Sequence, residues 1–151
     1  MGSRHRARTL ALQALYGLEL KPPRDVEAEL ARFLEHFHPD EGLRPFFLSL
    51  VRGTLAHLGE IDQALERCSQ HWKLERMPAV DRNLLRVAAY EVLHEREVPA
   101  EVTISEAVDL AKRFGGAETP SFVNAILDRV AREAGRLPLA SGAKPAEAKR
   151  P

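Results

Sequence analysis

With 22 basic and 22 acidic residues among 151, and a single cysteine, the chain has no net charge and no disulfide framework. It is long enough to bury a core without a disulfide or a metal. It contains no apolar run of membrane-spanning length, and its start, Met1-Gly-Ser-Arg-His, lacks the apolar stretch of a secretion signal, so a soluble cytoplasmic protein is expected. Neutrality conceals segregation: the net charge is +3 over residues 1–18, −6 over 19–135 and +3 over 136–151. A polyanion would be drawn to a basic end and repelled by the acidic middle.

Taken in chain order, the apolar spacing predicts helices throughout. Ala7, Leu10, Ala11, Ala14, Leu15 and Leu18 form one stripe at about 100° per residue, ended by Lys21-Pro22-Pro23. Val26 to Phe37 is a second amphipathic helix with Leu30, Phe33, Leu34 and Phe37 inward. Gly42 to Leu58 is a third, through Leu43, Phe46, Phe47, Leu50, Val51 and Leu58. Ile61, Leu65 and Cys68 make a fourth, with Cys68 as a small core residue. Pro78 opens a fifth over Ala79 to Leu93, apolar around most of its circumference and therefore central. Thr103-Ile-Ser-Glu106 has capping-box spacing and predicts the start of a sixth, which stops at Gly115-Gly116. Thr119-Pro120 opens a seventh with Phe122, Val123, Ile126, Leu127 and Val130 inward. No stretch alternates in the manner of a strand, so the class is all-α with seven helices. From Arg136 to Pro151 no core-forming periodicity remains, and a disordered basic tail is expected.

The chemistry gathers on the first helix. Arg4, Arg6 and Arg8 precede any acidic residue, and the side away from the apolar stripe carries His5, Thr9, Leu12, Gln13 and Tyr16. Arginine forks with an aromatic and an amide can hold phosphates, stack an unpaired base and read its edge. A solvated helix start is the competing reading, since basic runs often bind nothing specific. Leu12, Tyr16 and Leu20 form a second apolar row that requires either another helix of this chain or another protein. On the fifth helix, Arg86 reads as a structural ion pair, and Asp81 sits where its charge suits the helix N-terminus. His36-Phe37-His38 with Asp40 and Glu41 supplies no recognised metal framework and reads as a loop. No nucleotide-binding or hydrolase motif occurs, so nothing points to an enzyme or to a cofactor.

Three segments in order are similar to the NusB family of transcription antitermination factors: Arg4-His-Arg-Ala-Arg-Thr-Leu-Ala-Leu-Gln-Ala-Leu-Tyr16, Asp81-Arg-Asn-Leu-Leu-Arg-Val-Ala-Ala-Tyr-Glu91, and Val102 to Gly115 leading into Phe122-Val-Asn-Ala-Ile-Leu-Asp128, with Trp72 and Arg76-Met77 between them. The resemblance implies two small antiparallel helix bundles forming one RNA-binding domain over residues 4–135, with residues 136–151 as the tail. It implies a non-enzymatic adaptor that pairs with NusE, a small-subunit ribosomal protein, to hold the boxA element of nascent ribosomal RNA and keep RNA polymerase processive.

By matched position, Arg4, His5, Arg6, Arg8 and Phe122 would contact RNA, joined by Gln13 on the same helix face. Tyr16 and Asp81 would face the partner, with Leu12 in the row beside Tyr16. Ser105 and Ala125 depart from the family's frequent asparagine and glycine. Two other roles fit such a domain: a detached RNA-targeting module of an rRNA cytosine methyltransferase, which would need glycine-rich cofactor turns absent from this sequence, and a helical homodimer that buries Tyr16 in self-contact.

Overall fold

The described residues form seven α-helices, most of them parted by proline or glycine: α1 (Gly2–Leu20), α2 (Val26–Phe37), α3 (Arg44–Ala56), α4 (Leu58–Cys68), α5 (Ala79–His94), α6 (Ala100–Phe114) and α7 (Thr119–Glu133). The computed structural model describes residues 2–37, 40–70 and 72–138, with side chains from Arg4 onward, and among these there is no strand. The expected all-α class and helix number hold. One 3-10 turn, Leu74–Arg76, joins α4 to α5.

The helix ends follow local chemistry. The last α1 bond is Lys21 N–H to Gly17 O at 3.0 Å, after which Pro22 and Pro23 offer no donor. Asp25 caps α2 by accepting the Ala28 N–H at 3.1 Å. The helix expected to reach Leu58 breaks at His57, so Leu58 belongs to α4 instead. The capping-box reading at Thr103 is also corrected. Pro99, not Thr103, is the residue before the first turn of α6, which starts at Ala100, four positions earlier than expected. The Thr103 hydroxyl is buried and donates to Glu91 Oε2 at 2.8 Å. Thr119 is the first residue of α7 rather than its cap, which is Glu118, and its hydroxyl oxygen accepts the Gly116 N–H just ahead of the helix at 2.9 Å.

As its all-round apolarity requires, α5 is the axis, touching α1, α3, α4, α6 and α7. Leu84, Leu85, Ala89 and Val92 have no exposed surface. The helices α1–α3 and α4–α7 form two groups that share one continuous core along α5. Cys68 lies within that core, where burial pushes its thiol pKa up, so the expectation of a packed rather than reactive cysteine holds. On α3, the absence of a side chain at Gly53 admits the Tyr90 ring, which a Cβ there would meet at 2.1 Å.

The expected tail boundary moves. Arg136 donates to the carbonyls of Val92 and Val98, and Leu137 packs on the core, so the docked chain extends past residue 135. The rest of the expected tail, residues 139–151, lies outside the described residues, as does His38 of the histidine loop.

Candidate nucleic-acid interface

The first turns of α1 are fixed by acids from two other helices. Arg8 Nε donates to Glu91 Oε1 at 2.9 Å and its Nη2 to Oε2 at 2.5 Å, a bidentate fork with both side chains buried. Thr103 donates to the same carboxylate, so Glu91 ties α1, α5 and α6 together. One turn earlier, His5 Nδ1 lies 2.8 Å from Glu106 Oε1 on α6. A buried arginine must be paired to be tolerated, and this pairing sets the rotation of α1.

That rotation leaves Arg4 and Arg6 exposed. The Arg4 guanidinium lies 4.4 Å above the Phe46 ring of α3, a cation–π contact that holds one face of the group and leaves its edge to solvent. The expectation that all three arginines contact phosphate is therefore corrected for Arg8, whose fork is spent on Glu91 and whose side chain is 6% exposed. His5 is half-buried, and Gln13, two turns on, is exposed.

The residues read as partner-facing separate. Leu12, read as lying beside the partner-facing Tyr16, is buried in the core: the row it begins grades outward through half-buried Tyr16 to Leu20, which is 61% exposed. Arg8 and Glu19, on the same side of α1 as Leu12, pair with Glu91 and with Arg82 and Asn83, so α5 supplies the intramolecular partner. Asp81 is likewise buried and accepts the Thr119 hydroxyl at 3.1 Å, closing α5 onto α7. Expected to face the partner, Asp81 faces α7 here. Burial raises its carboxyl above the ordinary 3.8, and the bond from Thr119 offsets this only in part.

At that end of α5, Glu19 receives Arg82 and Asn83, and these side-chain bonds and the arginine's charge together outweigh burial and lower its carboxyl pKa. The bland reading of Arg86 holds: it forks onto Asp62 at 2.8 and 2.9 Å.

Phe122 is half-buried on α7, with the Trp72 ring set edge-on at 4.9 Å. Trp72 is 54% exposed, so the pair presents an aromatic corner. The contacts of α5 place this corner far from the arginines. Arg8 meets Glu91 near one end of α5, while Thr119, one turn before Phe122, meets Asp81 near the other. Ten residues at 1.5 Å rise separate these levels by about 15 Å. The arrangement is two anchors on an extended surface rather than one pocket.

Sequence reasoning did not assign Phe46, Trp72 or Glu106 to this surface. Phe46 satisfied the core stripe of its own helix, and Trp72 sits outside any periodic segment. The acid partners of Arg8 and His5 are 83 and 101 positions away.

The NusB family model matches residues 5–132. The chain belongs to the NusB family. Among its NusB relatives, the transcription antitermination protein NusB of Desulfatibacillum aliphaticivorans is 47% identical over 130 residues, 86% of this chain and 90% of that protein. The solved NusB structure of T. maritima superposes with a TM-score of 0.79 at 39% identity, covering 86% of this chain and 91% of that one. A chain from the crystal structure of the antitermination factors NusB and NusE in complex with dsRNA has a TM-score of 0.78 at 24% identity, over 87% and 98% of the two chains, and this likeness is one of fold.

Proposed function

We propose that the protein is a non-enzymatic RNA-binding adaptor of transcription antitermination, holding boxA-type RNA together with NusE and thereby supporting RNA polymerase processivity. The NusB relatives carry the antitermination name, and a chain of the same fold occurs in a complex with NusE and RNA. The observation that carries the reading to this chain's residues is the fixed start of α1. Arg8–Glu91 and His5–Glu106 hold the helix while Arg4, over the Phe46 ring, and Arg6 stay exposed.

Arg4 and Arg6 bind phosphates, and Gln13 offers an amide to a base edge. Phe122, with Trp72 against it, supplies a second anchor on which an unpaired base stacks. Arg8 serves RNA indirectly by positioning α1, as does the His5–Glu106 pair. Tyr16, half-buried on the outer row, faces NusE. Asp81 supports that region from inside by tying α5 to α7. The adaptor acts in the cytoplasm, and among the described residues no helix is long and apolar enough to cross a membrane. Residues 4–138 form the working domain.

The deciding experiment titrates labelled single-stranded boxA-type RNA with the protein, with and without NusE, beside a scrambled RNA. Binding of boxA-type RNA that NusE tightens is expected. Equal binding of both RNAs, unchanged by NusE, would refute the adaptor role. Tyr16→Asp should abolish the effect of NusE while leaving RNA binding alone intact. Loss of both would return Tyr16 to packing or RNA contact.

A further inference from the structure

Away from the arginines and from the Phe122 corner, three side chains of ligand type converge where α3, α4 and α5 meet. His57 occupies the one-residue break between α3 and α4, Glu60 lies in the first turn of α4, and His94 is the last residue of α5. His57 Nδ1 is 3.3 Å and His94 Nε2 is 3.0 Å from the same oxygen, Glu60 Oε1. All three donor atoms lie within 4.8 Å of one another. We propose that His57, Glu60 and His94 form a surface site for a divalent transition cation of the zinc class, clamping the α3–α4 corner to the end of α5.

Geometry supports this. A tetrahedral cation with bonds of about 2.0–2.1 Å spaces its ligand atoms by roughly 3.3 Å, close to both histidine-to-glutamate separations. The donor set, two imidazoles and one carboxylate with solvent at the remaining position, is what such ions take, whereas calcium and magnesium prefer oxygen ligands alone.

The two imidazole rings are held side by side, stacked with centroids 4.1 Å apart and planes 24° apart. Tyr90 aligns the pair, stacking at 5.3 Å on His94 and 6.0 Å on His57, in the space that Gly53 leaves open. Glu60 only accepts, so the His94 Nε2 that bonds to it at 3.0 Å carries a hydrogen, which moves to the other ring nitrogen or to solvent when a cation takes its place. The pattern is invisible in sequence because His94 is 34 positions from Glu60.

The test uses full-length protein without an affinity tag, stripped with a chelator and titrated with Zn2+ by calorimetry. One equivalent of Zn2+ should bind and raise the Tm. His57→Ala, His94→Ala and Glu60→Gln should each weaken binding at least tenfold, each with parent helicity by circular dichroism. The double variant His36→Ala with His38→Ala, and Cys68→Ser, should bind as the parent does.

An independent reading needs no variant: sub-stoichiometric Co2+ should broaden the imidazole resonances of two histidines, assigned to His57 and His94, before the other four. Absence of Zn2+ binding overturns the site. So does binding retained in the His57 and His94 variants, binding lost with His36 and His38, or broadening that begins elsewhere.

Discussion

Arg8 and Glu91 face each other across 83 positions of sequence as a bidentate pair, each nearly without exposed surface. Removing the cation alone would leave a buried carboxylate with only Thr103 as donor, and breaking such a pair costs about 3–5 kcal/mol. Arg8→Ala should therefore lower the Tm markedly and loosen the start of α1. A melt matching that of the parent would show the pair to be dispensable.

Arg4 and Arg6 behave oppositely. Both are exposed, so the double variant Arg4→Ala with Arg6→Ala should melt with the parent. Its RNA affinity should fall, and the slope of log affinity against log salt should flatten by about 1.4, since each phosphate contact to a single strand contributes roughly 0.7. An unchanged slope would remove both residues from the interface.

Phe122 and Trp72 should divide differently between binding and stability. Trp72→Ala removes a side chain that is 54% exposed, so it should lower RNA affinity by about 1–3 kcal/mol if a base stacks there, with little change in melting. Phe122→Ala should weaken RNA binding as well and cost some stability, because the ring also leans on the core. Normal RNA binding by both folded variants would assign the corner to packing alone.

The stripes of α1, α2 and α4–α7 and the central place of α5 could be read from the sequence because burial imposes a period on neighbouring residues. Leu12 and Asp81 could not. The row of Leu12 fits cover by a helix of this chain or by another protein, and what decides between them is that Arg8 and Glu19, on the same side of α1, pair with α5. Asp81 stands near the start of α5 as its place in the sequence suggests, but its cover, Thr119 of α7, comes from 38 positions away. The cluster of three arginines was equally plain, yet the commitment of Arg8 to Glu91 depends on a helix five elements later. What sequence hides here is pairing at long separation.

Glu19 and Asp81 should give opposite responses to pH. The Glu19 carboxyl lies below its ordinary 4.5 in the fold, so its stabilisation is present above that value and lost as pH falls through the lowered one. Glu19→Gln should lower the Tm at pH 7, and the deficit should shrink in acid. The Asp81 carboxyl is raised above 3.8, so the fold prefers it neutral: its contribution is full below 3.8 and lost as pH rises through the raised value. Asp81→Asn should melt higher than the parent at pH 7, with the advantage vanishing toward pH 3. Parallel pH profiles for both variants and the parent would contradict these environments.

Arg136 predicts where the chain can be cut. Stopping after residue 138 keeps its bonds to Val92 and Val98 and should leave the Tm almost unchanged. Stopping after residue 135 removes them along with the packed Leu137 and should cost about 1–3 kcal/mol. Equal melting of the two truncations would show that this strap carries no weight.

The embrace of α1 by α3 and α5 also orders events on the ribosome. Arg8 is made before the acid that seats it, which follows 83 residues later, about 4–17 s at roughly 5–20 residues per second. Throughout that interval Leu10, Leu12 and Leu15 have no complete core to enter. The arginine-bearing surface is therefore made well before it can take its working shape, and its apolar stripe waits for the helix that covers it.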